Sequence, residues 1–188
     1  MQSATTEKRR RGPWTVDQYM ALDIERRTEL LGGFIHDVSP KNAPHTRAVR
    51  ALIRALADGL DKRFELSVQD PIAVGGWHGH DAPEIDIAVI TAREYETAPV
   101  ASDALAFIEV SDATYRGKHG DRTYKIPLYV AAGVPSWIVN IPLRQVEFYG
   151  SVADLELEHG HVFDEHATVN ILGVVIPVAR LFAPRPKR

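Results

Sequence analysis

Ile85-Asp86-Ile87-Ala88-Val89-Ile90 is a compact apolar segment that a single carboxylate interrupts. The segment from Leu105 to Val110 is of the same kind, interrupted only by Glu109. Short apolar runs of this length predict buried strands, and an ionised carboxylate within one is costly to bury unless it is paired. We therefore expect both acids to lie at strand ends, where their side chains converge on a cleft. The simpler alternative is that each acid faces solvent or pairs with an arginine.

Outside these two segments, the apolar pattern alternates between helical and strand spacing. Gly32-Gly33 indicates the turn of a β-hairpin, and Gly133 indicates the end of a helix. The expected elements are a helix at 16–24, a hairpin at 29–38, an amphipathic helix at 46–60, strand character at 65–74 broken at 70–71, strands at 85–90 and 105–110, a helix at 120–132, strands at 134–140 and 145–149, further short strands, and a helical turn at 177–182. This interleaving predicts an α/β fold with a sheet flanked by helices.

Length and composition are typical of one globular domain. The chain has 188 residues, of which 45% are hydrophobic and 25% are charged. No apolar run approaches the roughly 20 residues of a membrane-spanning helix. Cysteine is absent, which excludes disulfides, thiolate zinc sites and cysteine nucleophiles. We expect a disordered basic leader at 1–12, a single domain at 13–188, and cytoplasmic residence, since no secretory signal begins the sequence.

The net charge is −3, and the basic residues concentrate towards the ends of the chain. Solvated tails are the simpler interpretation of these clusters, and arms that contact phosphate are the alternative. The clusters comprise Lys8, Arg9, Arg10 and Arg11, and then Arg180, Arg185, Lys187 and Arg188.

A divalent cation would offset the repulsion between Asp86 and Glu109. Mg²⁺ prefers oxygen ligands, commonly one or two carboxylates with water and phosphate, and it polarises a phosphoryl oxygen and activates water. Lys125 follows Asp121 by four residues on the next helix. It forms either a surface ion pair with Asp121 or a donor that orients water and stabilises charge on phosphate. Glu29 is a further candidate for the cluster, with a surface position beside the hairpin turn as its alternative.

Several motifs occur in the same order as in one known family. They are Glu29-Leu-Leu-Gly-Gly-Phe-Ile-His-Asp-Val-Ser-Pro, His45 at the start of a helix, Ile85-Asp86-Ile87-Ala88-Val89-Ile90, Phe107-Ile-Glu109-Val-Ser111, and Asp121-Arg-Thr-Tyr-Lys125-Ile-Pro-Leu-Tyr129-Val-Ala-Ala-Gly133-Val-Pro-Ser-Trp137-Ile-Val. From about Thr15 to Tyr149 the chain thus resembles the Uma2 family of restriction-endonuclease-like proteins, also called DUF820.

The resemblance implies the PD-(D/E)XK nuclease fold, a mixed sheet flanked by helices with a metal site at one sheet edge. It implies that Asp86 and Glu109 are metal ligands, with the backbone carbonyl of Val110 as a further one. Lys125 corresponds to the catalytic lysine, displaced from the strand onto the following helix. Glu29 corresponds to the N-terminal acid of the cluster.

Two positions depart from the family pattern. Ile85 replaces the proline that usually precedes the aspartate, which affects entry into the strand more than chemistry. Ser111 stands where a strand lysine would lie in the general nuclease motif. Activity therefore depends on Lys125 reaching the site, and Lys118 is a less suitable substitute because it precedes the helix.

Other polar residues have two interpretations each. His45 either contacts the site or serves as a hydrogen-bond donor at the helix terminus. Arg47, Arg50 and Arg54 form either a stripe that contacts phosphate or a solvated helix face. The remaining residues are interpreted structurally: Tyr129 packs rather than lines the cleft, Trp137 belongs to the core, and His78, His80, His159 and His161 lie in exposed loops rather than in a transition-metal site.

Together, the residues and the resemblance predict an endonuclease that uses Mg²⁺ or Mn²⁺ to hydrolyse DNA through Asp86, Glu109, Lys125 and Glu29. The candidate DNA contacts are His45 and the three helix arginines. A homodimer is expected because two strands need two sites, with strand 145–149 and the segment that follows it as a candidate interface. No membrane partner is expected. The alternative is a catalytically inactive protein of the same fold that binds nucleic acid or acts as an assembly scaffold.

Overall fold

Three α-helices and twelve strands are formed by the residues that the computed structural model describes, 12–112 and 117–184. The helices are α1 (Val16–Met20), α2 (Ala43–Gly59) and α3 (Ile126–Ala131). The strands are β1 (Thr28–Leu31), β2 (Phe34–Asp37), β3 (Phe64–Ser67), β4 (Asp70–Pro71), β5 (Glu84–Ile85), β6 (Ile87–Thr91), β7 (Ala104–Ser111), β8 (Ser136–Asn140), β9 (Gln145–Tyr149), β10 (His161–Phe163), β11 (Thr168–Ile171) and β12 (Val174–Pro177). The predicted leader, apart from Gly12, lies outside the described residues, as do Arg185, Lys187 and Arg188.

A mixed six-stranded sheet forms the centre of the fold. Its strand order is β10-β9-β8-β7-β6-β3, in which β7 and β8 are parallel and every other neighbouring pair is antiparallel. A parallel pair needs a crossover connection, and the segment that contains α3 supplies it. The predicted fold class, a mixed sheet flanked by helices, is confirmed.

Apolar side chains cover both faces of this sheet. On one face, α2 and the β11–β12 hairpin pack against β6, β7 and β8, with Leu52 of α2 fully buried. On the other face, α3 packs through Tyr129 and its neighbours. Because successive strand side chains point to opposite faces, Ile108 belongs to the α2 side, whereas Glu109 points towards Tyr129 on the α3 side.

The strand predicted at 85–90 is in fact two strands, and that expectation is corrected. β5 pairs with β4, whereas β6 pairs with β3 and β7. Asp86 lies between them, and its carbonyl accepts a hydrogen bond at 3.2 Å from the N–H of Gln69, a residue with a φ of 57°. The change of pairing partner at this point takes Asp86 out of the regular ladder and leaves its side chain at the end of the central sheet.

The helix predicted at 120–132 begins with a π-helical turn, Asp121–Lys125, and only then becomes α3. The N–H of Ile126 donates to the carbonyl of Asp121, five residues earlier. Pro127 has no N–H with which to continue an α-helical ladder, and it lies in the first turn of α3, where a proline is tolerated. Single π-helical turns are frequent at functional sites, and this one carries Lys125.

The other boundary corrections concern helix ends and the segment predicted at 65–74, where the strands are β3 and, at the predicted break, β4 (Asp70–Pro71). α2 begins at Ala43 rather than at 46, because the side chain of Asn42 caps it by accepting from the N–H of His45 at 3.0 Å. α1 ends at Met20 rather than at 24. Arg180, grouped in the sequence with a basic tail, lies on a 3₁₀ turn at Val178–Leu181. Among the helices described, none is long and apolar enough to cross a membrane.

Leu52 is a direct test of the α2 packing, because its side chain is fully buried. We predict that Leu52→Ala lowers the free energy of unfolding by about 2–5 kcal/mol, since truncation leaves a cavity, as measured by urea denaturation. Leu143→Ala is the matched control: Leu143 is 53% exposed, and its truncation should cost less than about 0.5 kcal/mol. Equal losses in the two variants would contradict this core.

Candidate metal centre

Asp86 and Glu109 meet at one end of the central sheet. The N–H of Val110 donates to Oδ2 of Asp86 at 2.9 Å, and the N–H of Asp86 donates to Oε2 of Glu109 at 3.4 Å. All three residues line one cleft of about 270 Å³. The two acids are only 2% and 1% exposed, so the alternative in which each faces solvent is wrong.

Asp86 has a lysine and a histidine beside its carboxylate. Nε2 of His45 lies 3.0 Å from Oδ2, and Nζ of Lys41 lies 3.1 Å from Oδ1. Burial raises the pKa of Asp86, but the hydrogen bond with His45 and the charge of Lys41 outweigh burial and hold that pKa well below its usual value. Asp86 is therefore ionised at neutral pH. Its Oδ1 is buried and accepts no hydrogen bond from the described residues, since the Lys41 contact has the distance of an ion pair but not hydrogen-bond geometry.

Glu109 has a buried carboxylate that faces a second lysine. The hydroxyl of Tyr129 donates to Oε1 at 2.6 Å, and Nζ of Lys125 lies 3.5 Å from the same oxygen. Burial raises the pKa of Glu109 to about 8 against the opposing charge of Lys125, and the negative charges of Asp121 and Asp86 add to the rise. A cation bound beside Glu109 would favour its ionised form.

Lys125 is at the centre of a carboxylate cluster. Its Nζ lies 3.0 Å from Oε2 of Glu29 and 3.8 Å from Oδ1 of Asp121, and it donates to the backbone carbonyl of Glu84 at 3.2 Å. Burial lowers the pKa of Lys125, but the charges of Glu109, Asp121 and Glu29 outweigh burial and raise that pKa above its usual value. Lys125 therefore stays protonated, which suits a hydrogen-bond donor and not a general base.

The β1–β2 hairpin carries Glu29 to this cluster. Leu30 and Ala82 exchange backbone hydrogen bonds of 3.1 and 2.9 Å, which dock the hairpin beside β5. The N–H of Glu84 then donates to Oε2 of Glu29 at 3.3 Å. The carboxylate of Glu84 has its own partner, because Nε of Arg27 donates to its Oε2 at 3.0 Å. Glu29 thus contacts Lys125 as part of a fixed network rather than as a surface residue.

The oxygen donors of the cleft fit a hard divalent cation. Asp86, Glu109 and Val110 line it together, and the buried Oδ1 of Asp86 accepts no hydrogen bond from the described residues, although the ammonium of Lys41 lies beside it. Two carboxylates with one backbone carbonyl, completed by water, form a set of the kind that Mg²⁺ binds. In the part of the chain that the structure describes, no three His, Cys, Asp or Glu side chains converge as a metal-binding group. Zinc, which takes three or four such side chains, fits less well.

Several predicted residues lie away from this centre. Lys118 is exposed. His80 pairs through Nδ1 with the carbonyl of Trp14 at 2.7 Å, and His161, at the start of β10, pairs with Asp154 at 2.9 Å. The other residues considered in the sequence also lie outside the cleft. Arg47, Arg50 and Arg54 are on the exposed side of α2, and Trp137 is in the core. His78 lies in its loop, and His159 lies beside Glu147.

Two residues contact the acids of the site although the sequence did not predict these contacts. Lys41 contacts Asp86, although nothing in the sequence marked it beyond its position just before α2. Tyr129, interpreted as a packing residue, both packs against Phe107 and donates to Glu109. Its position four residues after Lys125 was the available signal. Of the two interpretations of His45, contact with the site describes its side chain, because its ring contacts Asp86.

Comparisons with known proteins agree with this architecture. The Uma2 family model, described as "Putative restriction endonuclease", matches residues 16–179. A crystal structure from Anabaena variabilis ATCC 29413, described as a "putative nuclease belonging to DUF820", has a TM-score of 0.70 and 16% sequence identity, covering 90% of this chain and 98% of that chain. At that identity, the likeness shows the fold alone. No curated protein matches. The chain belongs to the Uma2 family, and its fold is nuclease-like.

Proposed function

We propose that this chain is an endonuclease that hydrolyses phosphodiester bonds in DNA with Mg²⁺ or Mn²⁺. One observation carries the proposal: a buried, ionised Asp86, whose Oδ1 accepts no hydrogen bond from the described residues, lies beside buried Glu109 in an open cleft. Groups with perturbed pKa values that share a cleft are candidate functional residues. A purely structural ion pair needs neither the cleft nor an oxygen left without a hydrogen bond.

The position and the charge of each residue in the cleft determine its proposed role. Asp86, Glu109 and the carbonyl of Val110 would hold the cation, which when bound polarises a phosphate oxygen and lowers the pKa of an attacking water. Lys125, kept protonated by its carboxylate neighbours, donates a hydrogen bond to that water or to the phosphate. Glu29 holds Lys125 in place through their 3.0 Å contact. The predicted homodimer remains part of this proposal, although the chemistry at one site does not require it.

The alternative proposal is an inactive protein of the same fold that binds nucleic acid or serves as a scaffold. The contact between Lys41 and Asp86 favours it, because an ammonium already neutralises that carboxylate without a metal. A nuclease must exchange this ammonium for the cation, whereas a scaffold keeps it. Cation binding therefore separates the two proposals.

Asp86→Asn removes one negative charge with little change in shape. We predict that it weakens Mn²⁺ binding at least tenfold by titration calorimetry and lowers cleavage of supercoiled plasmid about a hundredfold or more. Glu65→Gln is the control, because Glu65 is an exposed carboxylate on β3. A wild-type protein that binds no Mn²⁺ and cleaves neither plasmid nor single-stranded DNA would favour the scaffold instead.

Lys125→Met separates catalysis from metal binding. We predict that cleavage falls about 10²–10³-fold, because a donor to the reacting phosphate is lost, while Mn²⁺ binding by calorimetry persists. Lys118→Met, an exposed lysine from the preceding loop, should change neither quantity. Circular dichroism checks that the variant folds without the charge that balances its buried carboxylates. Loss of Mn²⁺ binding in a folded Lys125→Met protein would contradict the assigned role.

Lys41→Met removes the ammonium that competes for Oδ1 of Asp86. We predict that Mn²⁺ binds several-fold more tightly to this variant than to the wild type in the absence of DNA, as measured by calorimetry. Lys62→Met, at an exposed position after α2, controls for the change in net charge. Weaker Mn²⁺ binding in Lys41→Met would mean that Lys41 supports the metal position rather than occupies it.

A further inference from the structure

A basic groove runs along the exposed side of α2. We define it by its lining arginines: Arg47, Arg50 and Arg54 of α2, and Arg180 of the 3₁₀ turn that packs beside the helix. The groove encloses about 870 Å³, and all four arginines are exposed. An adjoining cavity of about 480 Å³ shares three of these arginines and reaches Asp58, where the basic lining ends.

Within the described ranges, the four arginines of the basic groove have no carboxylate partner. No ion pair or hydrogen bond joins these four guanidinium groups to any residue in the ranges described, and no acid lines the 870 Å³ groove. The chain does pair other exposed or half-buried arginines with carboxylates, namely Arg27, Arg63, Arg93 and Arg144. A row of uncompensated positive charges in a protein with a net charge of −3 attracts a polyanion.

The basic groove opens directly onto the candidate metal centre. Lys41 and Asn42 line both the groove and the cleft that holds Asp86. From there α2 leads away from the site: His45 in its first turn contacts Asp86, and the arginines follow on the exposed face. A phosphate chain lying along the groove would therefore pass through the cleft at its Lys41 end.

The spacing of the arginines fits the repeat of a phosphate backbone. Arg47, Arg50 and Arg54 follow one another at three and four residues, which places them on one helix face. At 1.5 Å per residue, Arg47 and Arg54 stand about 10 Å apart along the axis. One strand of duplex DNA places roughly three phosphates over that length.

Among the residues that the structure describes, none that lines the 870 Å³ groove is aromatic. Proteins that hold single strands combine basic grooves with aromatic platforms on which bases stack. In a duplex the bases are already stacked, and phosphates alone face a basic surface. We propose that the basic groove binds the phosphate backbone of one strand of double-stranded DNA, without reading its sequence, and leads it to Asp86. This inference rests on the proposed function for the site of cleavage, but binding in the groove does not require cleavage.

The experiment measures binding without cleavage. A fluorescein-labelled duplex of about 20 base pairs is titrated with the full chain in EDTA, and anisotropy gives its affinity at several salt concentrations. The double variant Arg54→Ala/Arg180→Ala should bind at least tenfold more weakly at 0.1 M salt. Its slope of log affinity against log salt should be shallower by about two, since each phosphate contact contributes roughly 0.9.

Matched variants separate charge in the groove from charge in general. Arg54→Lys/Arg180→Lys keeps the charge and should restore the slope. Arg93→Ala removes an exposed arginine from beyond the opposite end of β6 and should leave the slope unchanged. An unlabelled single strand of the same sequence should compete less well than the duplex.

These measurements distinguish failure of the groove proposal from failure of the nuclease proposal. An alanine variant with wild-type affinity and slope would overturn the groove proposal, even if the wild type cleaves DNA. Equal or better competition by the single strand would overturn the assignment to duplex. Weakened binding in a protein that never cleaves DNA would support the groove while the nuclease proposal failed.

Discussion

Two carboxylates buried side by side at the end of a sheet need positive charge near them, and the other parts of this site supply it. Asp86 is almost inaccessible to water and contacts Lys41 and His45, whereas Glu109 faces Lys125. Without such partners the burial of an ionised Asp86 would cost several kcal/mol, and burial already raises the pKa of Glu109 to about 8. The capped first turn of α2 brings His45 to Asp86, the π-helical turn carries Lys125 to Glu109, and the β-hairpin brings Glu29 to Lys125.

The helix α2 has three functions on three faces. Its buried face, which includes Leu52, holds the sheet together, and its first turn brings His45 to Asp86. Its exposed face carries arginines that form no ion pair with any described carboxylate. Arg47, Arg50 and Arg54 precede the one acid of the helix, Asp58, which lies near its C-terminal end. A bound phosphate backbone would supply the missing negative charge.

Much of this arrangement follows from the sequence, and the rest depends on long-range contacts. Apolar runs around Asp86 and Glu109 predicted strands in both segments, because the spacing of apolar residues is a local property of the sequence. The break at Asp86 was not predictable, since it comes from pairing with β4 and from a hydrogen bond to Gln69. Lys41 was missed for the same reason: its partner lies 45 positions away in the sequence, and no local pattern distinguishes it from any lysine before a helix.

In the proposed nuclease, Asp86 and Glu109 share a divalent cation that displaces Lys41. A crystal structure of the protein soaked in Mn²⁺, with anomalous scattering recorded for the metal, tests it most directly. We expect one Mn²⁺ at about 2.1 Å from carboxylate oxygens of Asp86 and Glu109, the carbonyl of Val110 in its coordination shell, and Lys41 moved off Asp86. No anomalous peak in the cleft, with Lys41 still on Asp86 at saturating Mn²⁺, would contradict the claim.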